Sequence, residues 1–147
     1  VKEDVAYATC KEEVENILAD FRNRDIPVAV INEHLQGDLV KFYGVHGTDF
    51  FYWFYPSPCS HSKFGLEKIN GIAKGIPFSV EELKIQSDKA AEALNVPIYG
   101  GDCVVSADGT LRIIDFNDWP SFARCREEAG GKIAECIYNR AKKQMKQ

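Results

Sequence analysis

The sequence predicts an α+β fold, a mainly antiparallel sheet with flanking helices. Three observations predict it. Strand-like runs follow one another along the chain, so hairpins dominate over the βαβ units a doubly wound sheet requires. One pair of runs is joined through Asp108-Gly109, a dipeptide suited to tight hairpins because the turn needs positive φ. Two helices open on capping-box signals followed by apolar residues at helical spacing.

The elements follow in chain order. Thr9 and Glu12 form the first capping box, and Val14, Ile17, Leu18 and Phe21 then mark one face of a helix expected to end near Arg24. Val28 to Ile31, short, apolar and β-branched, reads as a buried strand. Leu39 to His46 reads as the next strand, and a turn at Gly47 leads into Phe50 to Tyr55. Those six consecutive aromatics read as a strand covered on both faces. A base-stacking platform would also need a cationic groove, and the run contains no positive residue.

Pro56, Pro58, Gly65, Gly71, Gly75 and Pro77 mark an irregular connection. Ser79 and Glu82 form a second capping box, with Leu83, Ser87, Ala90, Ala91 and Leu94 on one helical face. Asn95 and Pro97 end that helix. Strands over Ile98 to Ser106 and Thr110 to Phe116 come next. After a break at Pro120-Ser121, a last helix is expected from about Phe122 to Lys143. Ile133, Cys136, Ile137 and Ala141 line its predicted inner face, and Gly130-Gly131 weakens it by about 1 kcal/mol per glycine.

Composition narrows the function classes. The 147 residues amount to about one domain, enough to bury a core without metal or disulfide staples. With 22 Asp+Glu against 18 Lys+Arg and a net charge of −4, nucleic acid is not an expected partner, since that footprint is basic. No apolar run reaches the roughly 20 residues that cross a bilayer, and no leader-like segment opens the chain. Five cysteines, odd in number and without CxxC spacing, suit a reducing compartment, so the expected location is the cytoplasm. Cys59 and His61 fall short of the four ligands of a structural zinc site. The chain starts at Val1 and its only methionine is Met145, which reads as a piece of a longer protein.

The hairpin through Asp108-Gly109 carries the chemistry. If those two residues form the whole loop, Cys103 faces Ile114, Val104 faces Ile113, and Asp102 faces Asp115. Opposed residues share a side of the sheet, and Asn117 tends to the same side as Asp115 by the strand period. Two like charges facing each other destabilise a hairpin unless compensated. A divalent cation such as Mg²⁺, which takes hard oxygen ligands together with substrate phosphates, is one compensator. The alternative is a pair of solvated aspartates at strand ends, separated by a bulge.

Ile98-Tyr-Gly-Gly-Asp102, followed by Asp115-Phe-Asn117 and Asp118-Trp-Pro120, resembles the metal-binding end of the ATP-grasp superfamily. In that family two acids on neighbouring strands and an Asn hold the magnesium ions bound to ATP. The resemblance implies these roles for Asp102, Asp115 and Asn117. Asp115 stands where the family more often has Glu. Ile31-Asn-Glu33-His-Leu35-Gln-Gly37 is similar to the hinge between the two ATP-grasp subdomains. This implies adenine contacts at Glu33, His34 and Leu35 and a ribose contact at Asp38. Lys41 resembles a basic residue that some members point toward phosphates or substrate.

On this resemblance, residues 1–35 are the remnant of a first subdomain and its hinge strand, and 36–147 a second, metal-binding subdomain. The implied activity is that of an ATP- and Mg-dependent carboxylate-amine or carboxylate-thiol ligase. It would act on a small-molecule or peptide carboxylate through an acylphosphate. A hydroxyl kinase with the same metal residues, or a nucleotide-binding or interaction domain without catalysis, are the alternatives. Two departures stand out. Gly100 occupies a place where several members carry arginine. The phosphate-gripping lysine and glycine-rich loop belong upstream of Asp4-Val5, so residues 1–147 alone are expected to bind ATP weakly or not at all.

Overall fold

The structure is a computed structural model that describes residues 4–56 and 71–145. Its element order is α1 (Lys11–Asn23), β1 (Asp38–Val45), β2 (Phe51–Phe54), α2 (Val80–Leu94), β3 (Ile98–Val105), β4 (Leu111–Asp118) and α3 (Arg126–Gln144). The four strands form one sheet in the order β2-β1-β3-β4. Every pairing is antiparallel. The predicted α+β architecture, an antiparallel sheet with flanking helices, is thus the one observed.

Alternation along the strands gives the sheet two buried faces. On one, Val40, Phe42, Tyr99, Cys103 and Val105 pack under Leu83 and Ala91 of α2. On the other, Val45 and Ile98 pack with Phe50, Phe122, Cys125, and Ala129 and Cys136 of α3. This second cluster lies at the Val45–Ile98 end of its face. Farther along, Asp115 and Asn117 are exposed, and that uncovered stretch is where the polar residues of interest stand.

The helices keep their predicted positions and shift in detail. Ser79 caps α2, its Oγ accepting from Glu82 N–H at 3.1 Å, and Asn95 ends the helix in the left-handed region at φ 55°. Leu83, Ser87 and Ala91 are buried, whereas Leu94 in the last turn is exposed. The first capping signal is displaced by one residue. Cys10 is the N-cap of α1, and Glu13, rather than Glu12, reaches back to Thr9, accepting from its N–H and hydroxyl at 2.6 and 2.8 Å. In α3 the buried residues are Ala129 and Cys136, with Ile133 partly buried. Ile137 and Ala141 lie outward. The helix starts later than predicted because Phe122, at φ 48°, folds its ring inward before the helix begins.

One predicted element does not form. Residues 26–36 contain no strand, and Val28, Val30 and Ile31 are 76%, 81% and 68% exposed. The hinge strand expected there is therefore corrected to an extended, solvent-facing segment. A strand exists only where a neighbour takes up its backbone hydrogen bonds and covers a face, so β-propensity alone did not suffice.

Candidate functional site

The β3–β4 hairpin settles the geometry of the predicted acids. Its turn is longer than two residues: Ser106 N–H bonds Thr110 C=O at 2.9 Å, and Gly109 N–H bonds Ser106 C=O at 2.8 Å. Gly109 takes φ 82°, and Asp108 Oδ1 accepts from Thr110 N–H at 3.0 Å. Beside this turn Val104 pairs with Arg112 and Cys103 with Ile113, one residue off the two-residue expectation. A β-bulge then intervenes between Asp102 and Cys103, leaving Ile114 as the extra residue on β4. The bulge reverses the shift, and Asp102 pairs with Asp115. Ile114 and Asp115 consequently both point away from the α2 core, and both are exposed. The predicted juxtaposition is present, produced by a longer loop and a compensating bulge.

The pairing runs on across the sheet. Phe54 of β2 pairs with Lys41 of β1, Lys41 with Asp102 of β3, and Asp102 with Asp115 of β4. The four residues therefore form one row on one face. Lys41 Nζ donates to both oxygens of Asp102, at 3.0 and 2.8 Å, and this pair is about three-quarters buried. Asn117 Nδ2 donates to Asp115 Oδ2 at 3.0 Å. Lys41 thus compensates one of the two facing carboxylates, and the Asn117 amide steadies the other.

Arg124 completes the row at its β2 end. Its guanidinium carbon lies 4.3 Å from the Phe54 ring centroid, a close cation–π contact. Sequence reasoning missed this residue because it fell inside the predicted last helix. In the structure Arg124 belongs to an irregular strap before α3. Trp119 at φ 43° and Phe122 at φ 48° bracket Pro120 in that strap, and bulky side chains seldom adopt such backbone. A side-chain Cβ at Gly100 would lie 2.9 Å from Pro120 and 3.0 Å from Tyr43. A side chain at position 100 therefore has no room, and the cation at this end of the row comes from the strap, as Arg124.

The remaining predicted residues stand apart from the row. Glu33 and His34 are exposed in the extended segment, Leu35 is half-buried, and His34 packs edge-on against Tyr7 at 5.0 Å. Asp38 is buried, and its two oxygens accept from Lys74 N–H and Ile76 N–H, each at 2.8 Å. Its clear structural role is to clamp the segment leading into α2. Cys59 and His61 lie outside the described residues. Among the described residues no group of three or more His, Cys, Asp and Glu side chains converges, so the row offers two carboxylates and one amide. No described helix is long and apolar enough to cross a membrane. Comparison with protein-family models, curated proteins and solved structures gives no match to this chain.

Proposed function

We propose that the Lys41–Asp102–Asp115 row, with Asn117, is the metal- and phosphate-facing surface of an ATP-grasp-like nucleotide site. The protein it serves would be an ATP- and Mg-dependent carboxylate-amine or carboxylate-thiol ligase. The observation that carries this reading is the pairing of Asp102 with Asp115 on one face, with Asn117 bonded to Asp115. The donor set suits a hard cation: carboxylate oxygens, plus the Asn117 Oδ1 left available while its Nδ2 is engaged. Magnesium bound there would supply charge neutralisation on the phosphates of ATP.

The chain's own groups fit the rest of the task. Lys41 lies between the acids and the Phe54–Arg124 pair, so cationic side chains sit along the same row as the metal ligands. Phosphoryl transfer relies on positioning and on neutralising phosphate charge, and demands no nucleophile from the protein. Lys41 holds Asp102 in place until a metal takes that carboxylate, and can then turn toward an incoming phosphate. Glu33, His34 and Leu35 remain the adenine candidates. Asp38 is a weaker ribose candidate because backbone amides already occupy its oxygens.

A non-catalytic nucleotide-binding or interaction domain is the second reading, favoured by one observation. Lys41 pairs with Asp102 and neutralises its charge from within the sheet. In an enzyme carrying this subdomain, Asp115→Asn should lower Mg-ATP turnover by about 100-fold, the scale of losing an electrostatic contact in the transition state. Turnover equal to the unsubstituted enzyme would sink the metal assignment. Hydroxylamine separates the activities, since a ligase acylphosphate yields a hydroxamate and a hydroxyl kinase yields none.

A further inference from the structure

The far end of the molecule holds a second polar feature. A cleft of about 530 Å³ opens between the β1–β2 turn and the last turns of α3, lined by His46, Asn139, Arg140, Lys142, Lys143 and Gln144 among others. Among the described residues no carboxylate lines it. Acids of the same two elements are occupied by Lys132, which pairs with Asp49 of the β1–β2 turn at 2.5 Å and with Glu135 of α3 at 3.6 Å. Arg140 is fixed by donating to Asn95 Oδ1 at 2.7 Å, which ties this wall to the α2 C-cap. Among the described residues Lys142 and Lys143 form no ion pair.

Basic residues near a helix C-terminus offset the helix dipole, which amounts to roughly half an elementary charge. Three cations around one cleft exceed that need. From the cleft's shape and its lining by Arg140, Lys142 and Lys143, we propose that it binds a small multivalent oxyanion, a diphosphate or a comparably charged phosphorylated metabolite. Its volume matches a small-molecule site, typically about 300–1,000 Å³. An extended polyanion is disfavoured, because the net charge of −4 makes the surface around so local a basic patch repulsive.

The probe is inorganic pyrophosphate, titrated into the 147-residue chain at low salt and followed by calorimetry and by amide NMR shifts. The expected result is millimolar or tighter binding, with shifts at His46-Gly47 and at 139–144. The double substitution K142Q/K143Q should weaken it at least tenfold, and leaves the Arg140–Asn95 contact in place. The control K11Q/K89Q, which removes two exposed lysines from α1 and α2, should leave it unchanged. Affinity within twofold of the original in K142Q/K143Q would overturn the proposal. So would loss of binding in K11Q/K89Q alone, which would place the anion outside the cleft. Tighter binding of single-stranded RNA than of pyrophosphate would make the cleft a nucleic-acid face and would equally overturn it.

Discussion

Gly101 shows how closely the residues around the row are fitted. A Cβ there would come within 2.2 Å of Asp115 C=O and 2.7 Å of Phe42 Cζ, far inside any tolerated contact. Gly101→Ala should therefore cost about 3 kcal/mol of stability, the upper end of overpacking effects, and disturb Asp115 directly. A urea midpoint matching the unsubstituted chain would contradict this. One strand position away from Asp102, Cys103 is fully buried, and burial pushes its thiol from 9.0 up to about 11. The unfolded thiol ionises first as pH rises. The stability linked to Cys103 is thus complete below pH 9 and falls progressively toward about pH 11. Tyr99, raised by burial and by the neighbouring Asp88, adds a loss in the same direction at higher pH. In Cys103→Ala the decline across that window should be shallower, whatever its absolute stability; an identical slope would remove Cys103 from the account.

At the scale of elements, the β3–β4 hairpin teaches the most. Two departures from the simplest hairpin, a longer turn and a bulge at Ile114, shift the register in opposite senses and leave Asp102 facing Asp115. Because Ile113 and Ile114 are identical, deleting one should remove the bulge while keeping Cys103–Ile and Asp102–Asp115 pairing. The variant should unfold cooperatively and retain cross-strand contacts between Gly101 and Phe116. Deleting Phe116 instead should move Asn117 onto the core side and collapse the fold, since a one-residue slip inverts the strand's faces. Equal behaviour of the two deletions would refute the bulge assignment. Alternation, caps and the turn signal made β1, α2 and the hairpin legible in the sequence. The strand proposed at Val28–Ile31 was not legible, because its existence depends on a neighbour that four apolar residues cannot announce. Arg124 was hidden for a related reason. Its place depends on positive φ at Trp119 and Phe122, a backbone choice that neither residue type favours.

On the scale of the whole molecule, the two helices that pack on the sheet divide its labour. α2 covers the face bearing Phe42 and Tyr99, while α3 covers the Val45–Ile98 end of the other. That leaves Lys41, Asp102, Asp115 and Asn117 on a face reachable from solvent. Residue pairing, the bulge and partial helix coverage act together to set this polar row on the face that α3 covers only in part. The central claim is that this row takes a hard divalent cation through Asp102, Asp115 and Asn117. Manganese(II), which shares magnesium's preference for oxygen ligands, reports on it through paramagnetic broadening of amide NMR signals. The account predicts that millimolar manganese first broadens Gly100 to Asp102 and Asp115 to Asn117, that excess magnesium reverses the effect, and that Asp115→Asn abolishes it. Broadening centred elsewhere, or unchanged in Asp115→Asn, would contradict it.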